Sequence, residues 1–253
     1  MTMIEKNLQT VRQRIASACL AAGRDPREVA LLAVSKTFDA QAVHQAYRAG
    51  QIAFGENYVQ EAVQKITQMR ELMASEADGL QWHCIGPIQS NKTRLVAEHF
   101  DWVHTVDRLK TAQRLSEQRP TALGPLQVCI QVNVDGGVTK AGVSPPDALA
   151  LARAVAALPG LRLRGLMSIP EPVPDFEVAC AVFARVRALF DALNADGLAL
   201  DTLSMGMSAD LEAAIRAGST MVRVGTAIFG GRPQPVASTH CPLQLDKSRR
   251  LGS

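Results

Sequence analysis

Hydrophobic and polar positions divide the chain into short apolar runs separated by longer amphipathic stretches. The opening segment, MTMIEKNLQTVRQRIASACLAAG, repeats its apolar residues at helical spacing, which predicts a helix. Most of the later runs are apolar at successive positions, which is typical of parallel strands covered on both faces. The pattern therefore predicts one helix followed by alternating strands and helices.

The apolar runs number eight, and turn or capping residues separate each run from the next helix. They are VALLAVSKT from Val29, IAFGEN from Ile52, LQWHCIGP from Leu80, WVHTVD from Trp102, LQVCIQVNV from Leu126, LRLRGLMSIP from Leu161, LDTLSMGM from Leu200 and MVRVGTAIFG from Met221. Eight strands with intervening helices favour an α/β fold, a single (β/α)8 TIM barrel preceded by an N-terminal helix. We expect the barrel domain to span residues 1–232 and residues 233–253 to form a flexible tail.

The main alternative architecture is an open, doubly wound parallel sheet. Such sheets often carry a G-x-G-x-x-G turn after the first strand or a phosphate-binding loop that contains a lysine, and the sequence has neither motif. Helix boundaries agree with either fold. Asp39 is the expected N-cap of a helix that ends at Gly50, and Ser208 is the expected N-cap of a helix that ends at Gly218.

Composition narrows the classes of function. The 253 residues are 47% hydrophobic and carry a net charge of +3, with the basic residues scattered, so neither a nucleic-acid surface nor a membrane segment is indicated. Five cysteines without a C-x-x-C pair indicate reduced thiols. The first residues lack the pattern of a secretory signal. We therefore expect a cytoplasmic protein.

Polar residues at the ends of the predicted strands are the candidates for chemistry, because a TIM barrel builds its site at the carboxyl ends of its strands. These residues would converge on one mouth of the barrel. They are Lys36, Asn57, His83, Asn133, Ser168, Ser204, Arg223, Gly225 and Thr226.

Lys36 ends the first strand, and alternation places it on the same face as Leu32 and Val34. An ammonium at the rim of a dry interior is disfavoured, which leaves a neutral amine able to attack a carbonyl and form a Schiff base. The alternative is an ordinary lysine that extends into water from a strand end.

The last two strands supply donors for a phosphate. Gly225 permits close backbone approach, and Thr226 adds a hydroxyl directly after it. Ser204 and the capping Ser208 provide further short donors near a helix N-terminus, where barrels often bind phosphate. A lysine beside a phosphate site fits a phosphorylated aldehyde, and pyridoxal 5′-phosphate (PLP) is such a molecule.

Four segments carry a family resemblance: LLAVSKTF, FGENYVQEA, WHCIGPIQSNKT and LSMGMSADLEAAIRAGSTMVRVGTAIFG. With them the chain resembles the pyridoxal phosphate homeostasis proteins, single-barrel relatives of the alanine racemase N-terminal domain. The resemblance implies that Lys36 forms the internal Schiff base and that Arg223 faces the pyridine nitrogen. It also implies that Ser204, Gly225 and Thr226 hold the phosphate and that Asn57 and His83 lie close to the ring.

An arginine opposite the pyridine nitrogen has a chemical consequence. Because Arg223 only donates hydrogen bonds, it keeps that nitrogen unprotonated and makes the ring a weaker electron sink. A racemase also needs two acid/base groups, of which its family draws one from a second domain that we do not expect here. Tyr47 and Tyr58 are the only tyrosines, and we expect neither to be catalytic.

Three functions remain open at this point. The first is a cytoplasmic carrier or buffer of PLP without turnover, which passes PLP to apo PLP-dependent enzymes and is a monomer, as the resemblance suggests. The second is a PLP-dependent amino-acid racemase or decarboxylase, and the third is a class I aldolase. A metal site is not expected, because the neighbours His83 and Cys84 face opposite sides of a strand. Lys140, in a long loop, is a candidate for a second cation at the mouth.

Overall fold

The computed structural model of the chain describes residues 1–73, 79–137 and 141–231. Its strands are all parallel and pair in sequence order, with β8 closing on β1, so they form the predicted eight-stranded barrel. The strands are Ala30–Val34 (β1), Ala53–Glu56 (β2), Gln81–Cys84 (β3), Trp102–Val106 (β4), Leu126–Gln131 (β5), Leu161–Met167 (β6), Thr202–Ser204 (β7) and Met221–Val224 (β8).

Helices alternate with the strands and cover the outside of the barrel. The predicted N-terminal helix is present, and its capping box between Thr2 and Glu5 fixes where it begins. The helices are Met3–Ala21 (α1), Ala40–Arg48 (α2), Val59–Met73 (α3), Thr93–His99 (α4), Leu109–Gln118 (α5), Pro145–Ala156 (α6), Phe176–Ala195 (α7), Leu211–Arg216 (α8) and Thr226–Phe229 (α9). The prediction of a TIM barrel preceded by a helix is therefore confirmed.

Every strand lies within its predicted run, but most strands end earlier than predicted. β1 ends at Val34 and β8 at Val224, so Lys36 and Thr226 lie beyond the strands. The predicted runs also included the residues that follow each strand, such as residues 35–37 after β1, and these residues lie in the mouth rather than in the sheet. Asp39 caps α2 through the Ala42 N–H as predicted, whereas Ser208 does not cap α8, which begins after Asp210.

Apolar side chains fill both faces of the barrel wall. The larger cluster lies between the strands and the helices and includes the inner face of α1, for example Leu8 and Val11. Two smaller clusters fill the barrel interior: Leu32, Val34, Ala53, Ile85 and Met221 in one, and Trp102, Cys129 and Met167 in the other. The interior is therefore a packed core, and chemistry is left to the mouth.

The cysteines of the described ranges, Cys19, Cys84, Cys129 and Cys180, are free thiols, and the first three are buried. Burial raises the pKa of the Cys84 and Cys129 thiols to about 12, so both stay protonated and behave as core residues. In the same ranges, every helix is too short or too polar to cross a bilayer. Lys140 and the tail over 233–253 lie outside the described residues.

Candidate functional site

Lys36 lies at the barrel mouth, in a turn directly after β1. Its side chain is half-buried and, within residues 1–73, 79–137 and 141–231, makes no hydrogen bond or ion pair. The predicted face is confirmed for Leu32 and Val34, which point into the barrel interior. Lys36 therefore follows the strand as an unpaired amine at the rim, rather than ending it.

The end of β8 lies beside the Lys36 turn, because β8 pairs with β1 through Val224 and Ala33. A Cβ atom at Gly225 would lie 3.1 Å from the Val34 carbonyl oxygen, so a side chain at Gly225 would crowd the wall of β1. Thr226 follows as an exposed residue at the start of α9. The pairing of β1 with β8 thus places Gly225 and Thr226 at the same end of the barrel as Lys36.

Arg223 is buried in the barrel interior below these residues. Its Nη1 donates to the carbonyl and to the hydroxyl of Ser204, at 2.6 and 2.7 Å, and its Nη2 donates to the Ser168 carbonyl at 2.9 Å. Burial lowers the pKa of Arg223 to about 10, and the guanidinium therefore stays charged at neutral pH. Strands β6 and β7 thus hold a permanent cation in a fixed orientation.

A chain of hydrogen bonds runs from Arg223 across the barrel to His83. The Ser204 hydroxyl lies 2.9 Å from His104 Nδ1, and His104 Nε2 lies 2.9 Å from His83 Nδ1. Because Arg223 can only donate, the Ser204 hydroxyl accepts from Arg223 and is free to donate to His104. When the hydroxyl donates, His104 donates to His83 and the remaining proton of His83 is on Nε2.

Both His83 and His104 are neutral. Burial lowers the pKa of His83 to about 3. The pKa of His104 also lies well below its usual value, through burial first and then through His83 and Arg223. His83 stacks on the Trp102 ring, with the ring centroids 5.2 Å apart, and its buried Nε2 has no described partner. This series of hydrogen bonds therefore ends in one ring nitrogen, His83 Nε2, that has no described partner.

Asn57 lies just beyond β2, and its buried Oδ1 atom also lacks a described partner. A Cβ atom at Gly86 would lie 2.2 Å from the Asn57 carbonyl oxygen, so a glycine is required where the ends of β2 and β3 meet. Asn57 lines a cavity with Tyr58, Gln89 and Lys92. Two unpaired polar atoms, on Asn57 and His83, thus lie near the mouth.

Not every predicted residue belongs to this group. Asn133 bonds its own loop, donating to the Gly137 carbonyl and accepting from the Gly136 N–H, so its amide is already used. Ser168 contributes its carbonyl to Arg223, while its hydroxyl donates to the Val132 carbonyl. Tyr58 is 58% exposed at the start of α3.

Ser204 is fully buried, and its hydroxyl bonds Arg223 and His104. The phosphate contact that the resemblance implies for Ser204 stays a prediction, and these bonds favour a role in holding Arg223. Ser208 is half-buried before α8, and its carbonyl accepts from Arg14 at 2.8 Å.

His83 and Cys84 face opposite sides of β3, as predicted, with His83 inside and Cys84 in the outer core. Among the described side chains, no three of the His, Cys, Asp and Glu type lie together in a way that could hold a metal ion.

Sequence reasoning missed three residues of this region. His104 was not predicted to belong to the site, and neither was the buried pair of Glu56 and Lys65. Lys65 falls on the buried face of α3, four residues after Glu61, and a lysine at an apolar helical position was the available signal.

Comparisons with known proteins show the family to which this chain is similar. The family model "Alanine racemase, N-terminal domain" matches residues 2–233. The pyridoxal phosphate homeostasis protein of Pseudomonas aeruginosa is 59% identical over 232 residues, which cover 92% of this chain and 97% of that protein.

Two solved structures extend the comparison. PipY of Synechococcus elongatus, solved with PLP bound, is 36% identical with a TM-score of 0.76, and the match covers 90% of this chain and 100% of PipY. Alanine racemase from Corynebacterium glutamicum is 20% identical with a TM-score of 0.62, over 93% of this chain and 62% of the racemase. The racemase likeness shows the fold alone.

Proposed function

Because this chain belongs to the pyridoxal phosphate homeostasis proteins, within the alanine racemase N-terminal domain family, we propose that it is a cytoplasmic carrier or buffer of PLP. In this proposal Lys36 holds PLP as a Schiff base, and apo PLP-dependent enzymes are the recipients. The observation that carries the proposal is the unpaired side chain of Lys36 in the turn after β1, the strand that pairs with β8 just before Gly225.

The donor set fits PLP at each end of the molecule. Thr226 follows β8, the strand that pairs with β1, and its hydroxyl and backbone N–H suit a phosphate. Arg223, Asn57 and His83 offer a fixed cation and two unpaired polar atoms on the ring side. PipY, a relative of 36% identity, binds PLP in its solved structure, which supports the same ligand here.

The contacts of Arg223 support a role without turnover. A donor-only side chain opposite the pyridine nitrogen keeps that nitrogen unprotonated, so carbanion chemistry gains little from the ring. Ser204 and Ser168 hold Arg223 in place, and the neutral histidines place no second charge beside it. We propose that Ser204 acts through Arg223 in this way.

The experiment that tests the function begins with an absorbance spectrum of the purified protein after incubation with PLP. A band at about 420 nm is expected for a protonated Schiff base of PLP. The loaded protein is then mixed with an apo PLP-dependent enzyme and, separately, with a panel of L-amino acids. Recovery of the enzyme's activity, with every amino acid left unchanged, is the expected result.

Turnover of any amino acid would contradict the proposal and favour the alternative, a PLP-dependent racemase or decarboxylase. The control is an equal amount of free PLP that has passed through the same gel-filtration step without the protein. A loaded protein that reactivates the apo enzyme no faster than this control would contradict the carrier role.

Thr226→Val is expected to weaken PLP binding by about ten- to a hundredfold, because a hydrogen bond to a charged group is worth about 1.5 to 3 kcal/mol. Valine keeps the shape of threonine and removes only the hydroxyl. Thr226→Ser keeps the hydroxyl and serves as the matched control, with affinity close to that of the unchanged protein. Equilibrium titration monitored by the absorbance band measures all three affinities. Equal affinities for the valine and serine variants would place the phosphate elsewhere.

A further inference from the structure

The backbone on both sides of Lys36 is fixed by charged side chains from β2 and α3. Before Lys36, the Ser35 carbonyl accepts from Lys65 Nζ at 2.8 Å, and the Ser35 hydroxyl donates to Glu56 Oε1 at 2.6 Å. After Lys36, the Thr37 N–H donates to Glu61 Oε1 at 2.8 Å. Lys36 is therefore held by its two neighbours while its own amine is left unpaired.

The backbone conformation of Thr37 shows why such contacts are needed. Thr37 has a φ of 69°, and it is the one residue other than glycine with a positive φ in the described ranges. This region is unfavourable for residues with a Cβ atom and most of all for β-branched ones. A turn with threonine at this position persists only where its surroundings hold it, and the described bond to the Thr37 N–H comes from Glu61.

Lys65 connects the two carboxylates. Its Nζ lies 2.6 Å from Glu56 Oε1 and 3.4 Å from Glu61 Oε1, and the side chains of Lys65 and Glu56 are 4% and 0% exposed. Removing two charges from water costs free energy that a buried ion pair only partly recovers. A buried pair is thus a poor source of stability, and its position directly behind the Lys36 turn suggests another use.

We infer that Glu56, Glu61 and Lys65 form a clamp that positions Lys36 to attack the aldehyde carbon of PLP, where a C=N bond replaces the C=O bond and the oxygen leaves as water with the two protons of the neutral amine. This inference rests on the function proposed above. Glu56 and Lys65 fix the carbonyl and hydroxyl of Ser35, and Glu61 keeps Thr37 in its strained conformation. The three are positioning residues, and the amine that reacts belongs to Lys36.

Glu61→Ala tests the clamp because Glu61 is 38% exposed and its loss leaves the buried pair intact. Without the carboxylate, the turn adopts its binding conformation only part of the time. The apparent PLP affinity falls in proportion to the fraction of molecules in that conformation, and we expect a loss of about tenfold. In the protein without PLP, amide hydrogen exchange of the peptide containing Thr37 is expected to speed up. Glu61→Gln keeps an acceptor oxygen and is expected to behave much like the unchanged protein in both measurements.

Thr37→Gly, added to Glu61→Ala, separates positioning from simple weakening of α3. Glycine adopts a positive φ without a steric cost, so the double variant is expected to recover most of the lost PLP affinity. Glu71→Ala is the matched control, since Glu71 is an exposed glutamate on the same helix, roughly 15 Å further along its axis. It is expected to change neither hydrogen exchange nor affinity.

The clamp is overturned if Glu61→Ala changes neither exchange nor affinity, or if Thr37→Gly leaves the lost affinity unrecovered. Failure of the unchanged protein to form any PLP adduct would instead reject the proposed function. In that event the exchange comparison, which uses no PLP, still decides whether Glu61 holds the Thr37 turn.

Discussion

Lys36→Ala is expected to abolish the band at about 420 nm and the borohydride-reducible adduct at the β1 turn, because no other described lysine lies in that turn. The effect is expected to be complete at this position rather than partial, since a methyl group has no nitrogen with which to form a Schiff base. The measurement is reduction with borohydride, proteolysis and mass spectrometry, which identifies the peptide that carries the pyridoxyl group. In the unchanged protein the label is expected on the peptide containing residue 36.

Lys92→Ala is the matched control for Lys36→Ala. Lys92 lines the cavity beside Asn57 and Tyr58, so it is a second lysine on the mouth side of the barrel. Its loss is expected to leave the label on Lys36 unchanged. A reduced adduct of undiminished occupancy on the β1 peptide of Lys36→Ala would show that the Schiff-base assignment is wrong.

Lys65→Met is expected to lower the free energy of unfolding by about 3 to 5 kcal/mol at neutral pH, because it leaves the Glu56 carboxylate buried without a counterion. Methionine replaces the length and the apolar part of the lysine and removes only its charge and donors. Urea denaturation of the unchanged and variant proteins measures the difference. The double variant Glu56→Gln with Lys65→Met has no buried charge and is expected to lose less than Lys65→Met alone.

The free energy of unfolding that Lys65→Met loses depends on pH, and Glu56 sets the direction of that dependence. Burial raises the pKa of Glu56 above its ordinary value, while Lys65 and Ser35 act to lower it. A carboxyl with a raised folded-state pKa favours the folded chain at low pH, and this contribution is lost as the pH rises through the folded-state pKa.

Without Lys65 the pKa of Glu56 rises further, so the destabilisation is expected to be largest at neutral pH and to shrink as the pH falls and the carboxyl takes up a proton. Urea denaturation at about pH 7 and at about pH 5 tests this pH dependence. At each pH, the free energy of unfolding of the variant is subtracted from that of the unchanged protein. A loss of equal size at both pH values would contradict an ionised, unpaired Glu56.

The architecture was accessible from the sequence because it depends on local periodicity. Strand runs such as LQVCIQ and the amphipathic pattern of α2, with Asp39 before it and Gly50 after it, are encoded within a few neighbouring residues. Boundaries at the carboxyl ends of the strands were predicted too late, as at β1 and β8, because the sequence pattern does not mark the residue at which the chain turns from the strand into the mouth.

The candidate site was accessible only in part. The residues at the strand ends made Lys36, Arg223, Gly225 and Thr226 candidates, and the barrel does bring β1 and β8 together. The same reasoning assigned Asn133 to the mouth, where its amide instead bonds Gly136 and Gly137. A strand-end position says which edge a residue occupies but not which hydrogen bonds its side chain has already made.

By itself the sequence determined the alternation of strands and helices, the number of strands, which is enough to close a barrel, and the chemical types of the residues at the mouth. The tertiary structure alone decided that Ser204 meets His104, 100 positions away, that Arg223 meets the Ser168 carbonyl, and that Lys65 pairs with Glu56 behind Lys36. Periodicity records which face of an element is buried, because that depends on neighbours along the chain. Which buried polar groups meet depends on the register and closure of the barrel, and these are properties of the whole chain.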